Sequence, residues 1–186
     1  MVLPGADDCR VILVFAGRRP GTADFPAQNV DAVAGHARRA VAQLQPRLAI
    51  GSAAAGADLL VADAALAAGV KVEILLAGDE ARFRSESVDD KGAAWTERFD
   101  RILGSQAVTV SEVPRVDDPE ASYRAVTLAI ARRAERLADE GEAVALLVLS
   151  NPRRAGVDHT EELVALARDR GWRVLRIDTC RPESAV

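Results

Sequence analysis

Six short apolar runs alternate along this chain with segments of helical pattern, and that alternation limits the fold more than any other feature. The runs lie at 10–16 (RVILVFA), 47–51, 71–76, 107–112, 143–149 (AVALLVL) and 173–177. The two spelled out are nearly continuous in apolar residues, the pattern of strands covered on both faces. Helical patterns fill the gaps, at 29–45, 57–68, 91–104, 118–140 and 159–170. Strands joined by helices pair in parallel, with the helices packed on both sides of the sheet. The expected fold is therefore α/β: a three-layer, Rossmann-like domain with a mainly parallel sheet of about six strands.

Capping residues support these boundaries. Asp118 precedes Pro119, a residue pre-set for the first helical position, and Gly141 follows the same helix. Asp158 suits the N-cap of the last helix, with Glu161 as a capping-box partner and Gly171 beyond its end. A length of 186 residues fits one domain spanning 1–186, with 1–9 and 180–186 as tails. No run reaches the roughly 20 apolar residues of a membrane span, so no membrane partner is expected. The start MVLPGADDCR does not read as a secretory signal.

The two cysteines, Cys9 and Cys180, flank the first and last strands. In one parallel sheet they fall at opposite ends, on the order of 15 Å apart and beyond disulfide reach. A reducing cytoplasm is the expected compartment. Two histidines without a Cys/His cluster call for no metal, and nothing calls for a cofactor. The net charge of −4 argues against broad nucleic-acid binding, so nucleic acid is not expected as a partner.

In an open parallel sheet, ligands bind beyond the carboxyl ends of the strands, near the point where strand order reverses. Four loops reach that edge. Gly17, Arg18 and Arg19 follow the first strand, and two guanidiniums there suit phosphate or carboxylate. The second loop, GSAAAGAD, has almost no side-chain bulk. Gly51, Ser52, Ala53 and Gly56 would let backbone N–H groups approach an anion, aided by the helix dipole. Tight strand–helix packing explains the same residues without a ligand. Asp58 suits either a helix cap or a hydrogen bond to a ribose hydroxyl, the cap being favoured. Arg84 and Ser85 belong to a polar segment at 82–88 that reads as a lid loop or as a solvated connection holding Phe83 in the core. Tyr123, the one tyrosine, could stack on a base or pack with its hydroxyl outward. Gly156, His159 and Thr160 meet at a helix N-terminus suited to phosphate, and Glu162 is the candidate general base.

These loops resemble the SLOG superfamily, which groups the DNA-processing protein DprA with the Lonely Guy proteins. The resemblance is carried by FAGRRP at 15–20, GSAAAGADLLVADAALAAG at 51–69, ARFRSESV at 81–88 and GVDHTEELVALARDRGWRVLRID at 156–178. It spans nearly the whole chain and looks closest to stand-alone bacterial SLOG proteins. It implies binding or sensing of a nucleotide or nucleotide-derived ligand, possession of a signalling or defence role, and a homodimer. The phosphoribohydrolase branch carries P-G-G-x-G-T-x-x-E. Aligned on Thr160, this chain has His159 for the last glycine and Leu163 for the glutamate, with Glu162 one place short. Hydrolysis of a nucleoside monophosphate is therefore the second reading, and DprA-like binding of single-stranded DNA the third.

Overall fold

The first apolar run becomes a central strand, β1 (Ile12–Gly17), whose first four side chains are all buried. The computed structural model describes residues 11–138, 142–149 and 158–182. After β1 come α1 (Val30–Leu44), β2 (Leu48–Gly51), α2 (Ala57–Ala67), β3 (Lys71–Ala77), α3 (Glu80–Ser87) and α4 (Ala93–Leu103). The second half comprises β4 (Val108–Val113), α5 (Pro119–Ala138), β5 (Ala143–Leu149), α6 (His159–Asp169) and β6 (Arg173–Asp178).

The six strands form one sheet in the order β4-β3-β2-β1-β5-β6, and every pairing is parallel. The chain first builds outward from β1 to β4. Helix α5 then carries it back across the sheet, about 30 Å at 1.5 Å per residue for its 20 residues. Strand order thus reverses between β1 and β5, where Gly17 stands opposite Val148. Helices α1, α2 and α4 pack together on one face and α5 with α6 on the other, giving three layers.

Packing explains the composition of the central elements. All seven residues of β5 are buried. Eight of the eleven residues of α2 are buried too, so this helix is apolar nearly all round. Its alanines let it lie close to the strands between α1 and α4. Among the described residues, no helix is long and apolar enough to cross a membrane.

One element departs from expectation. Residues 82–87 are not a loop but most of α3, and Val88 is its C-cap. Asp79 caps this helix by accepting the Arg82 amide at 2.9 Å, and Arg82 pairs with Glu86 one turn on. Phe83 is buried and stacks on Phe99 of α4, with ring centroids 6.3 Å apart. The segment is thus a helix rather than a loop, with Phe83 in the core. Asp158 does cap α6, accepting the Thr160 and Glu161 amides at 3.1 Å each. The Glu161 carboxylate, in contrast, faces Arg176 of β6 at 3.7 Å. Cys180 is anchored rather than part of a tail, its carbonyl accepting from Asn29. Cys9, Gly141 and Gly156 lie outside the described residues.

Candidate functional site

A cavity of about 630 Å³ opens at the carboxyl edge of the sheet, at the β1–β5 switch point. The first and second loops supply Gly17, Arg18, Arg19, Ser52 and Asp58. Ser87 of α3, Tyr123 and Thr127 of α5 and Asp158, His159 and Thr160 at the start of α6 add to its polar lining, with Thr22, Asp24, Lys91 and Glu120 around them. The cavity thus gathers residues from five separate parts of the sequence.

The charges inside are mostly spoken for. Arg18, only 6% exposed, holds Asp158 through two hydrogen bonds of 2.6 and 2.5 Å. Burial alone would raise the Asp158 carboxyl. The Arg18 guanidinium and the amides of Glu161 and Thr160 outweigh it and hold the group below the usual carboxylate range. Asp158 therefore neutralises Arg18 and fills the α6 N-terminus, which the sequence had offered to phosphate. Arg19 reaches across to Asp90 at the half-exposed rim, and Lys91 lies 3.8 Å from the same carboxylate.

The small-residue turn also has an internal explanation. A Cβ on Gly51 would lie 2.5 Å from Cδ2 of Phe15, and one on Gly17 would lie 2.7 Å from Cβ of Val148. Gly56 sits at φ +113°, and a Cβ there would meet the Arg18 carbonyl at 2.5 Å and Pro20 at 2.7 Å. These glycines let β1, β2 and their loops come together. Three backbone donors of the turn are used as well. Ala54 donates to Asp58, Ala55 to the Ser87 carbonyl at 2.9 Å, and Ala57 to the Arg18 carbonyl at 3.0 Å. Gly51, Ala53 and Gly56 consequently shape the cavity from behind without lining it.

Asp58 is the exception to this internal pairing. It does not cap α2, whose N-cap is Gly56 without a side-chain hydrogen bond. One carboxylate oxygen accepts the Ala54 amide at 3.3 Å, while Oδ1 is buried with no partner. Burial pushes this carboxyl up to about 7, against the opposing pull of the Ala54 and Gly17 backbone and of the Arg19 charge. Arg18 Nε and Arg19 Nε are likewise buried with no hydrogen-bond partner, and His159 Nδ1 is buried with the Glu162 carboxylate 3.5 Å away. All four residues line the cavity. Buried polar atoms are ordinarily hydrogen-bonded, to protein or to ordered water, so the cavity suits polar groups such as water or a bound molecule.

The other expected residues divide. Tyr123 lines the cavity, its hydroxyl 3.1 Å from Ser87 Oγ and its ring tilted against His159. Arg84 instead turns away to Asp89 and Asp100, each at 3.2 Å, and Ser85 is exposed on the outer side of α3. Helical spacing brings Phe83 and Ser87 to the cavity in their place. Glu162 is absent from the lining. It accepts from Arg124 at 2.7 Å and faces His159 at 3.5 Å. The sequence reading missed Ser87 because it missed α3, although Gly78-Asp79 followed by the Arg82/Glu86 pair is a helix-start signal.

No protein-family model matches this chain, and no curated protein matches its sequence. Among solved structures, the chain is similar to DNA processing protein A. The X-ray structure from Streptococcus pneumoniae aligns at 13% identity with a TM-score of 0.39. The alignment covers 94% of this chain but only 61% of that one, so this chain spans about three-fifths of that protein's length. Likeness at that level carries no inference about activity. The expectation that nucleic acid is not a partner does not stand. The expectation rested on net charge, which averages over the whole surface and cannot exclude a local basic patch.

Proposed function

We propose that this domain binds a nucleotide or nucleotide-derived ligand in the cavity at the carboxyl edge of its sheet. The observation that carries the reading is the set of buried polar atoms without a hydrogen-bond partner on Asp58, Arg18 and Arg19 around one cavity. Guanidinium N–H groups need acceptors, which a phosphate supplies. The Asp58 oxygen needs a donor, which a ribose hydroxyl supplies. One ligand carrying both kinds of group satisfies both. The rings of Phe83 and Tyr123 offer an apolar wall for a base, and about 630 Å³ lies within the usual range for small-ligand sites. The motif resemblance to the SLOG superfamily supports the same ligand class.

Binding, rather than hydrolysis, is the favoured reading because Glu162 is held by Arg124 outside the lining. Calorimetric titration with nucleoside 5′-mono-, di- and triphosphates, and with ribose 5-phosphate, tests the proposal. Saturable binding of a nucleotide, weakened at least about tenfold by Asp58→Asn, is expected; a lost hydrogen bond to a charged group has that size. Release of free base, abolished in Glu162→Gln, would contradict the binding-only reading. No binding across the panel would contradict the ligand class.

A further inference from the structure

A second concavity, of about 590 Å³, lies on the opposite flank of the sheet between β3, β4 and α5. Two helices cover this face and three cover the other, so the end beneath β4 is left open among the described residues. Its floor is apolar, formed by Leu75, Val113, Pro114 and Leu128. Val116, just beyond Pro114, is 52% exposed and is the one large apolar side chain so exposed among the described residues.

Arginines form the other border. Arg133 is held by Glu73 through two hydrogen bonds of 2.7 Å. Arg132 and Arg136, one helical turn apart and both exposed, have no partner among the described residues. The acid between them, Glu135, is directed to Arg170 of α6 at 3.4 Å. Like charges one turn apart disfavour a helix.

We infer that this groove docks an acidic amphipathic helix of another protein, its apolar residues on the Leu75–Val113–Leu128 floor and two carboxylates on Arg132 and Arg136. Carboxylates one turn apart on the partner match the spacing of the two guanidiniums, each able to take a carboxylate in a forked pair. The floor contains no aromatic ring on which a nucleic-acid base could stack. A twofold pairing of two such grooves would bring arginine borders together, which disfavours a second copy.

The test uses the full chain and a fluorescein-labelled synthetic helix with leucines at i, i+3, i+4 and i+7 flanked by glutamates, read by anisotropy. Saturable, salt-sensitive binding is expected, reduced at least about tenfold in R132E/R136E by reversing two charge pairs. Both residues are exposed, so the double variant should keep the thermal midpoint of the wild type. Equal binding of a lysine-flanked helix, or no loss in R132E/R136E, overturns the inference. So does capture of a single-stranded oligonucleotide through the same arginines, or self-association that disappears in the double variant.

Discussion

Asp58 provides a sharp physical test, because its carboxyl is raised from 3.8 to about 7 by burial. A group whose folded pKa exceeds its unfolded value binds its proton more tightly when folded. Between the two values the native state carries the proton and the unfolded state does not, so stability falls as pH rises. The difference of about 3 pH units corresponds to about 4 kcal/mol, at about 1.4 kcal/mol per unit. That stability is fully present below about pH 4 and lost by about pH 7. Asp58→Asn keeps an acceptor for the Ala54 amide but cannot ionise. Urea unfolding at about pH 5 and about pH 8 should show the wild type losing between about 2 and 3 kcal/mol more than the variant. Other titrating groups cancel in this comparison. They include His36, whose pKa is lowered by burial and then by Arg39, and Asp158, which is held low. Parallel pH profiles for the two proteins would refute the account of a desolvated, half-satisfied carboxyl.

The Arg18–Asp158 pair makes a second prediction. Arg18→Met should destabilise the protein by about 3 kcal/mol or more at neutral pH, because it leaves Asp158 uncompensated and nearly buried. The deficit should shrink in acid as Asp158 takes a proton, as followed by urea midpoints. Gly51→Ala should cost at least about 1–3 kcal/mol, since its methyl would enter the space of the Phe15 ring. Thermal unfolding checks this, and a wild-type midpoint would contradict it. Ligand affinity should rise from about pH 6 to about pH 8, because a hydroxyl donor to Asp58 favours the ionised form. Asp58→Asn should reduce that dependence in calorimetry, leaving the part that comes from ionisation of the terminal phosphate.

The fold could be read from the chain because short apolar runs, the central ones buried on both faces, alternate with longer helical patterns. Strand β5 is the clearest case, apolar throughout and buried throughout. Helix α3 was hidden because it is short and charged, with only Phe83 and Ser87 buried, so hydrophobic periodicity could not reveal it. The site was half legible. Sequence position puts Arg18, Asp58, Tyr123 and Thr160 at one edge of the sheet, and they do meet there. It could not say that Asp158, read as a helix cap, would also take up Arg18, because that pairing spans 140 residues. Nor could it separate small residues that admit a ligand from small residues that admit Phe15 and Pro20.

The central claim, a nucleotide in the cavity beside Asp58, is tested most directly by a crystal structure grown with the nucleotide that binds best in calorimetry. A donor of the ligand should lie within about 3.2 Å of Asp58 Oδ1, with phosphate oxygens toward Arg18 and Arg19. Ligand density at the arginine border of α5, or an empty cavity at saturating nucleotide, would contradict it.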